Sequence, residues 1–230
     1  MRTCAVIVAA GNSTRMQSGG ASKLLMEIAG EPVLRHTLRA FDAAECIDAI
    51  VVVTRACDFD AVRAAMNGMQ KPVLLAEGGA ARQDSVANGV ALSENADYIA
   101  VHDGARPMIT PELIETVCRD AEKYGAATLA VPVKDTIKIA SPEEFAESTP
   151  DRTWLRAIQT PQVFSLPLYK KALEKAAAEG KQYTDDCQLI ENAGGRVYLT
   201  MGDYRNIKIT TPEDIAVAEA FYAQRKETAK

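Results

Sequence analysis

The chain has 230 residues, a formal net charge of -5 and an isoelectric point near 5.2, which excludes a general positive field for nucleic acid or an anionic membrane. Its five cysteines are odd in number, widely separated and without a CxxC pair, so we expect reduced thiols and a cytoplasmic protein. The length suits one α/β domain over residues 1–230, and no apolar run is long enough to cross a bilayer.

In the first 131 residues, short apolar runs rich in β-branched residues alternate with segments of helical periodicity. Near-continuous apolar strands suit burial on both faces, so this alternation predicts a mostly parallel, doubly wound sheet that binds ligands at the carboxyl ends of its strands. The runs predict strands over 5–8, 49–53, 72–75, 98–101 and 127–131. The segments between them predict helices over 32–44, 58–66, 83–92 and 111–124, the last with Thr110 as N-cap and Gly125 as its stop.

The alternating pattern breaks after Val133. Two β-like runs, 134–140 and 154–164, flank a polar stretch and predict a β-hairpin arm within residues 134–162. The apolar side chains of this arm need a partner surface, so we expect the arm to cross a two-fold axis and form a homodimer. The remaining segments predict helices over 165–179 and 185–193, a strand over 196–201, and a final helix that begins near Thr211.

The loop after the first strand is suited to phosphate. The segment Ala9-Ala10-Gly11 carries no bulky side chains, so consecutive backbone N–H groups can converge on phosphate oxygens. Arg15 and Lys23 follow, and no carboxylate interrupts residues 11–26, so two cations are available to neutralise a polyphosphate. The spacing fits neither the GxGxxG dinucleotide fingerprint nor the GxxxxGK[ST] Walker loop, and therefore predicts a nucleotide site of another kind.

Two further strand ends carry polar residues. Gly78-Gly79 follows the third strand and Ser85 lies in the next helix, so backbone groups and this hydroxyl could read a base or a ribose. After the fourth strand, Asp103 lies on a glycine turn where a metal-bound nucleotide must pass, and its oxygen atoms suit Mg²⁺. Arg106 can grip a second phosphate bidentately, whereas His102 is expected to be a structural, hydrogen-bonded histidine.

Cations, acids and hydroxyls recur farther along the chain. They occur in Val131 to Lys138, Thr160 to Gln162, Thr184-Asp185 and Asn206 to Lys208, the last at the end of a predicted late strand. Together with the segments above, these motifs resemble the 2-C-methyl-D-erythritol 4-phosphate cytidylyltransferase family in order and spacing over essentially the whole chain.

This resemblance implies a single Rossmann-like nucleotidyltransferase domain with a mostly parallel sheet and a protruding β-hairpin arm. It also implies an enzyme of the non-mevalonate isoprenoid pathway that joins CTP to methylerythritol phosphate and releases pyrophosphate, with Mg²⁺ or another divalent cation as cofactor. The attacking phosphate monoester is largely dianionic near neutral pH. The reaction therefore needs no general base, only cations and backbone dipoles fixed around the phosphates.

The resemblance further implies roles for individual residues. The implied CTP-binding residues are Ala9, Ala10, Gly11, Gly79, Ser85 and Asp103, the last of which also holds the metal. The implied catalytic cations are Arg15, Lys23, Arg152 and Lys208. The implied residues for methylerythritol phosphate are Asp103, Arg106, Thr136, Arg152, Thr160 and Lys208, of which Thr136, Arg152 and Thr160 are expected to complete the neighbouring subunit's site.

Two positions depart from the family's pattern, and other functions stay open. Ala80 stands where relatives often carry an acid, which puts a ribose or base contact in doubt. Arg205 stands where some relatives have Asp, so Asp203 or Asp185 would have to supply any second carboxylate near the metal. The alternatives are the same chemistry on another polyol phosphate, such as ribitol phosphate, and a non-catalytic nucleotide-binding regulator. An NAD-dependent oxidoreductase is disfavoured because its glycine fingerprint is missing.

Overall fold

The structure, a computed structural model, describes residues 1–11 and 22–228, with side chains described as far as residue 225. The strands, in chain order, are β1 (Thr3–Val8), β2 (Glu27–Ile28), β3 (Glu31–Pro32), β4 (Ala49–Thr54), β5 (Val73–Glu77), β6 (Tyr98–Asp103), β7 (Ala126–Pro132), β8 (Ile139–Ala140), β9 (Ala146–Ser148), β10 (Arg156–Ser165) and β11 (Tyr198–Met201). The α-helices are α1 (Val33–Ala43), α2 (Phe59–Met66), α3 (Arg82–Ala91), α4 (Pro111–Tyr124), α5 (Leu166–Ala178), α6 (Asp186–Asn192) and α7 (Glu213–Thr228).

Seven strands form the central sheet, in the order β11-β7-β10-β6-β1-β4-β5. Neighbouring strands are parallel except at β10, which runs antiparallel to both β6 and β7. The predicted mostly parallel α/β sheet is therefore confirmed. From β1 the chain adds β4 and β5 on one side and then returns to pair β6 on the other. This reversal opens a crevice at the carboxyl ends of β1 and β6, where ligands of such sheets bind.

Helices cover both faces of the sheet, which explains why its strands are apolar throughout. In β1, Ala5 and Ile7 pack on the face covered by α1, α2, α4 and α7, whereas Val6 packs on the face covered by α3, α5 and α6. Successive side chains of a strand point to opposite faces, so a strand buried on both sides cannot alternate with polar residues. The strands and helices predicted for the first 131 residues match these elements, with small differences at their ends.

Helix α4 shows how local sequence sets the ends of an element. The Oγ1 of Thr110 accepts a hydrogen bond from the N–H of Leu113 at 3.4 Å, and Pro111 occupies the first helical position, where no N–H donor is needed. Gly125 ends the helix in the left-handed conformation with φ of 85°. Over the residues described, none of the helices combines the length and the apolar character needed to cross a membrane.

Residues 134–155 lie outside the central sheet and are mostly exposed. Within them, β8 and β9 form a small antiparallel ladder, and the side chains of Phe145 and Trp154 are 73% and 84% exposed. The strand predicted over 134–140 is reduced to Ile139–Ala140, because no described segment pairs with its first half. Residues 156–162, assigned to the predicted arm, belong to β10 of the central sheet. The homodimer contact of this segment stays a prediction.

The segment Asn206 to Lys208 does not end a strand, and the prediction of a strand there is wrong. Strand β11 ends at Met201, and the N–H of Asn206 then donates to the carbonyl of Asp203 at 2.9 Å in a turn. Asn206 is fully buried, and its amide donates to the carbonyl of Thr160 at 2.9 Å. A buried side-chain amide, rather than a strand ladder, thus fixes the chain that carries Lys208.

Candidate active site

Two cavities open at the carboxyl ends of β1 and β6 and share one wall. The first has a volume of about 500 Å³ and is lined by the Ala9 to Gly11 loop, by Lys23 and by the turn Gly78 to Ala81. The second has a volume of about 470 Å³ and is lined by residues of β10, α6 and β11, with Thr160 among them, and by Arg106. The residues that line both cavities are Arg82, Asp103 and Lys208. Two polar ligands can therefore lie side by side, with charged groups between them.

The turn before α3 packs closely against the first loop. A Cβ atom added at Gly78 would lie 2.4 Å from the Cβ of Ala10, so only glycine allows this approach. The N–H of Gly79 donates to the Oγ of Ser85 at 3.0 Å, and this hydroxyl donates to the carbonyl of Ala81 at 3.0 Å. The Ser85 hydroxyl thus holds the turn in shape, and because its proton is already donated to Ala81 it can only accept a hydrogen bond from a ligand.

The carboxylate of Asp103 is the electrostatic centre of the shared wall. Its side chain is 11% exposed, and its oxygens lie 2.8 Å from Lys208 Nζ, 3.7 Å from Arg106 Nε and 3.8 Å from Arg82 Nε. Burial alone would raise the pKa of Asp103, but the attraction of Lys208 and the two arginines outweighs burial and lowers the pKa to about 2. Asp103 therefore carries a permanent negative charge among three positive ones.

Thr160 and His102 fix the backbone that carries Asp103. The N–H of Asp103 donates to Thr160 Oγ1 at 3.1 Å, and this hydroxyl lies 3.0 Å from His102 Nδ1. A carbonyl oxygen can only accept, so the ring proton lies on Nε2, 3.4 Å from the carbonyl of Arg106, and Nδ1 of the neutral ring accepts from the Thr160 hydroxyl. Burial lowers the pKa of His102 to about 3, so the ring stays neutral. The expectation of a structural histidine is confirmed.

Lys23 and Arg106 bring cations to different cavities. Lys23, in the first cavity, donates from Nζ to the carbonyl of Ile209 at 2.6 Å. Arg106 lines the second cavity, where its Nη1 donates to the carbonyl of Asn206 at 2.7 Å. Its buried Nε has no hydrogen-bond partner among the described residues. Arg106 is thus held from one end and can still bond to an anion.

Most residues predicted for the site line one or both cavities. They are Ala9, Ala10, Gly11, Lys23, Gly79, Ser85, Asp103 and Lys208 in the first, and Asp103, Arg106, Thr160 and Lys208 in the second. Thr136 and Arg152 line neither cavity; both are exposed, and Arg152 Nη1 donates to the carbonyl of Lys134 at 2.9 Å. Thr160, which was expected in the neighbouring subunit's site, is instead buried in the second cavity of its own chain, where it accepts from the N–H of Asp103. Arg15 lies outside the described residues.

Similarity to known proteins extends over almost the whole chain. The family model described as 2-C-methyl-D-erythritol 4-phosphate cytidylyltransferase matches residues 3–224. The chain belongs to this family. A cytidylyltransferase of that name from Caldanaerobacter subterraneus subsp. tengcongensis is 47% identical over 227 residues, which cover 96% of this chain and 99% of that protein. Another, from Clostridium botulinum, is 43% identical over 217 residues, covering 93% and 94%.

Solved structures of the family have the same fold. The crystal structure of 4-diphosphocytidyl-2C-methyl-D-erythritol synthase from Anaerococcus prevotii superposes with a TM-score of 0.87 at 32% identity and covers 96% of each chain. That of 2-C-methyl-D-erythritol 4-phosphate cytidylyltransferase from Thermus thermophilus gives a TM-score of 0.76 at 31% identity, covering 96% of this chain and 98% of the other. The predicted enzyme class, a nucleotidyltransferase, and the predicted fold class are both confirmed.

Sequence reasoning missed one charged residue of the shared wall, Arg82, and its buried partner, Asp186. Arg82 Nη1 lies 2.6 Å from the Oδ2 of Asp186, which is 3% exposed. The position of Arg82, as the first residue of a helix that follows a cavity-lining turn, was a usable signal. Asp186 gave no usable sequence signal, because its partner lies 104 positions away and the adjacent Asp185 looks equivalent in sequence.

The other acids near the cavities have partners of their own. Asp203 pairs with Arg205 at 2.6 Å, and Asp185 accepts a hydrogen bond from the side-chain amide of Gln162. Neither lines the first cavity. Among the described residues, no group of three or more His, Cys, Asp or Glu side chains is arranged to hold a metal. Asp103, which lines both cavities, is thus the carboxylate best placed to meet a metal that arrives with phosphates.

We expect Gly78→Ala to raise the KM for CTP by roughly 10- to 100-fold, because the added methyl group displaces the turn from the first loop. Steady-state kinetics measures the change. Gly125→Ala is the matched control. Because Gly125 has a φ of 85°, the substitution should cost about 1 kcal/mol of stability, but no atom lies within 4 Å of the new methyl group and the position is far from the site. Equal KM values for wild type and Gly78→Ala would contradict the close packing of the two loops.

The buried, neutral His102 predicts that the stability of the fold decreases as the pH is lowered below 6.5. Its pKa is about 3 in the folded protein, below the ordinary value of 6.5, so between these values only the unfolded chain takes up the proton. Stability from this group is complete above pH 6.5 and is lost toward pH 3 by up to about 1.4 kcal/mol per pH unit. His102→Asn keeps an acceptor for Thr160 without the titration. Urea unfolding between pH 4 and 6.5 should show a shallower slope for this variant, and equal slopes would refute the assignment.

Proposed function

We propose that the chain transfers the cytidylyl group of CTP to 2-C-methyl-D-erythritol 4-phosphate and releases pyrophosphate. The observation that carries this proposal is the pair of cavities joined at one charged wall, since the reaction must hold two anionic substrates with their phosphates adjacent. An oxygen of the methylerythritol phosphate attacks the α-phosphorus of CTP, and the bond from that phosphorus to the bridging oxygen breaks. The product is 4-diphosphocytidyl-2-C-methyl-D-erythritol.

CTP occupies the first cavity. Backbone N–H groups of Ala10 and Gly11 face its phosphates together with Lys23, whereas the N–H of Ala9 donates to the carbonyl of Val53 at 2.7 Å and Ala9 only lines the cavity. The turn that contains Gly79 and Ser85 receives the ribose and base. The side chains of Ser85 and Ala80 are uncharged, so we expect the turn to recognise the base through its backbone groups. Arg15 follows the same loop and adds a second cation to the triphosphate.

Methylerythritol phosphate occupies the second cavity. Its phosphate meets Lys208 at the shared wall and Arg106 beyond it, whose buried Nε has no hydrogen-bond partner among the described residues. Thr160 also lines this cavity, but its proton is directed to His102, so toward the polyol it acts as an acceptor or holds Asp103 in place. The second cavity thus supplies cations for the phosphate and hydroxyl or amide groups for the polyol.

The chemistry depends on charge rather than on proton transfer. Among the described residues of the shared wall, His102 is buried and bonded on both nitrogens, and Asp103 is bonded to Lys208, so neither is placed as a general base. A phosphate monoester needs none, since it is already largely dianionic near neutral pH. Lys23, Lys208 and Arg15 lower the barrier by neutralising charge that builds up around the α-phosphorus and on the pyrophosphate.

A divalent cation suits this donor set. Asp103 offers a hard oxygen that stays ionised above a pKa of about 2, and Mg²⁺ commonly binds through one or two carboxylates together with substrate phosphates. When bound, the ion would supply further positive charge for the triphosphate. Asp103 is the residue that would hold it.

The proposed enzyme is a homodimer in which residues 134–155 of one copy reach the other. Thr136 and Arg152 line neither cavity of their own chain, while Phe145 and Trp154 in the same segment leave large apolar surfaces exposed. Contact with a second copy would bury this surface and bring Arg152 to the partner's second cavity. The free cysteines accord with a cytoplasmic location.

The function is tested by pyrophosphate release from CTP. We expect release only when methylerythritol phosphate and Mg²⁺ are both present, no release with either substrate alone, and loss of release after EDTA. Ribitol phosphate is the matched alternative acceptor. Faster turnover with ribitol phosphate would reassign the substrate, and binding of CTP without release under any of these conditions would indicate a nucleotide-binding regulator instead.

A mixing experiment tests the shared site. If Lys23 of one chain and Arg152 of the other serve one site, a heterodimer of Lys23→Ala and Arg152→Ala holds one intact and one doubly altered site. Random subunit exchange then restores roughly a quarter of wild-type activity, because about half of the dimers are mixed and each has one good site of two. If both residues act in the same chain, every site keeps one lesion and nothing recovers. Differently tagged chains show whether heterodimers have formed.

A further inference from the structure

Arg82 stands in the shared wall without an assigned role. It is the first residue of α3, its side chain is 26% exposed, and it lines both cavities. Its Nη1 is the only one of its nitrogens that makes a hydrogen bond with the described residues, and the acceptor is Asp186. A guanidinium has five N–H donors in a fixed plane, so most of its donors remain for ligands in the cavities.

Asp186 fixes the plane of this guanidinium. The carboxylate is 3% exposed and uses both oxygens: Oδ2 accepts from Arg82 at 2.6 Å, and Oδ1 accepts from the hydroxyl of Tyr169 at 2.6 Å. Tyr169 is fully buried, and burial followed by the charge of Asp186 raises its pKa well above the ordinary value, so it stays a donor. Tyr169, Asp186 and Arg82 thus form a chain of hydrogen bonds that leads from the buried core to the two cavities.

The charges of the wall favour an anion beside Arg82. Asp103 and Asp186 face three cations, Arg82, Arg106 and Lys208, so the cluster has a positive excess before a substrate arrives. Arg82 Nε lies 3.8 Å from Asp103, too far for a hydrogen bond but close enough for attraction. Bidentate bonding to phosphate is what a held guanidinium does best.

We propose that Arg82 is a further catalytic residue that bonds the phosphates of both substrates across the shared wall, with Asp186 as its positioning residue. The inference rests on the proposed function. Arg82 donates N–H groups to the oxygens of the attacking phosphate and of the CTP phosphates, and so offsets the repulsion of two anions as the new bond forms. It takes part in no proton transfer, and no bond to it forms or breaks.

The first test measures turnover and KM for both substrates in Arg82→Ala and Arg82→Lys. We expect turnover of Arg82→Ala to fall about 100-fold, as for loss of a preorganised donor, with higher KM values for both substrates. Arg82→Lys keeps the positive charge but lacks the planar guanidinium with its paired N–H donors, so its turnover should stay close to that of Arg82→Ala. Added guanidinium at millimolar concentration should restore part of the activity of Arg82→Ala. Arg63→Ala, which breaks an exposed pair with Asp60 at 3.4 Å, is the matched control and should be unaffected.

The second test separates positioning from support of the fold. Asp186→Asn should lower turnover about as much as Arg82→Lys, and in the Arg82→Ala background it should have no further effect, because its role passes through Arg82. The double variant also leaves no buried charge unpaired. Thermal unfolding is measured alongside. Additive losses, or lower melting temperatures with unchanged kinetics at 25 °C, would show that this chain of hydrogen bonds only supports the fold.

Activity of the wild-type protein shows whether the proposed function itself fails or only the proposed role of Arg82 fails. If wild-type protein releases no pyrophosphate, calorimetry with CTP and with inorganic pyrophosphate replaces the kinetic readout. Arg82→Ala should then bind both at least about tenfold more weakly than wild type and Arg63→Ala, as expected for loss of one charge-assisted, bidentate contact. Equal binding, or equal kinetics where the wild type is active, overturns the role of Arg82.

Discussion

Repulsion between two anions is the constraint on which the site depends. A chain with net charge of -5 can bring two phosphorylated molecules together only if it concentrates its cations at one place. Asp103 makes this concentration tolerable, because its carboxylate lies among Lys208, Arg82 and Arg106 and keeps them from repelling one another. When the substrates bind, their phosphates also neutralise these cations. The acid in the wall is therefore as necessary as the cations.

The fold supplies this cluster from distant parts of the chain. Asp103 ends β6, Arg82 begins α3, and Lys208 follows a turn held by the buried Asn206. The reversal of the chain beside β1 places the first two at one crevice. Because both faces of the sheet are covered by helices, the carboxyl edge is where such polar residues can reach solvent and ligands.

Much of this could be predicted from the sequence, because the strands are apolar throughout and the motifs follow them directly. Glycines, capping residues and acids at strand ends act locally, so the Ala9 to Gly11 loop, the Gly78 turn and Asp103 were found. Arg82 and Asp186 were missed because their pairing joins two helix starts 104 positions apart, and no local pattern records it. The strand predicted near Asn206 failed for a similar reason, since a long-range amide bond to Thr160 replaces the ladder.

Strand β10 gives the arm a fixed relation to the site. It pairs with β6 at one border and with β7 at the other, and its Thr160 accepts from the N–H of Asp103. A slip of one residue in either ladder would turn every side chain of β10 to the opposite face. The exposed segment therefore leaves the sheet from a strand whose register is fixed on both sides. The register of β10 thus fixes two things at once: the position of Asp103, through Thr160, and the point from which the exposed segment leaves the sheet.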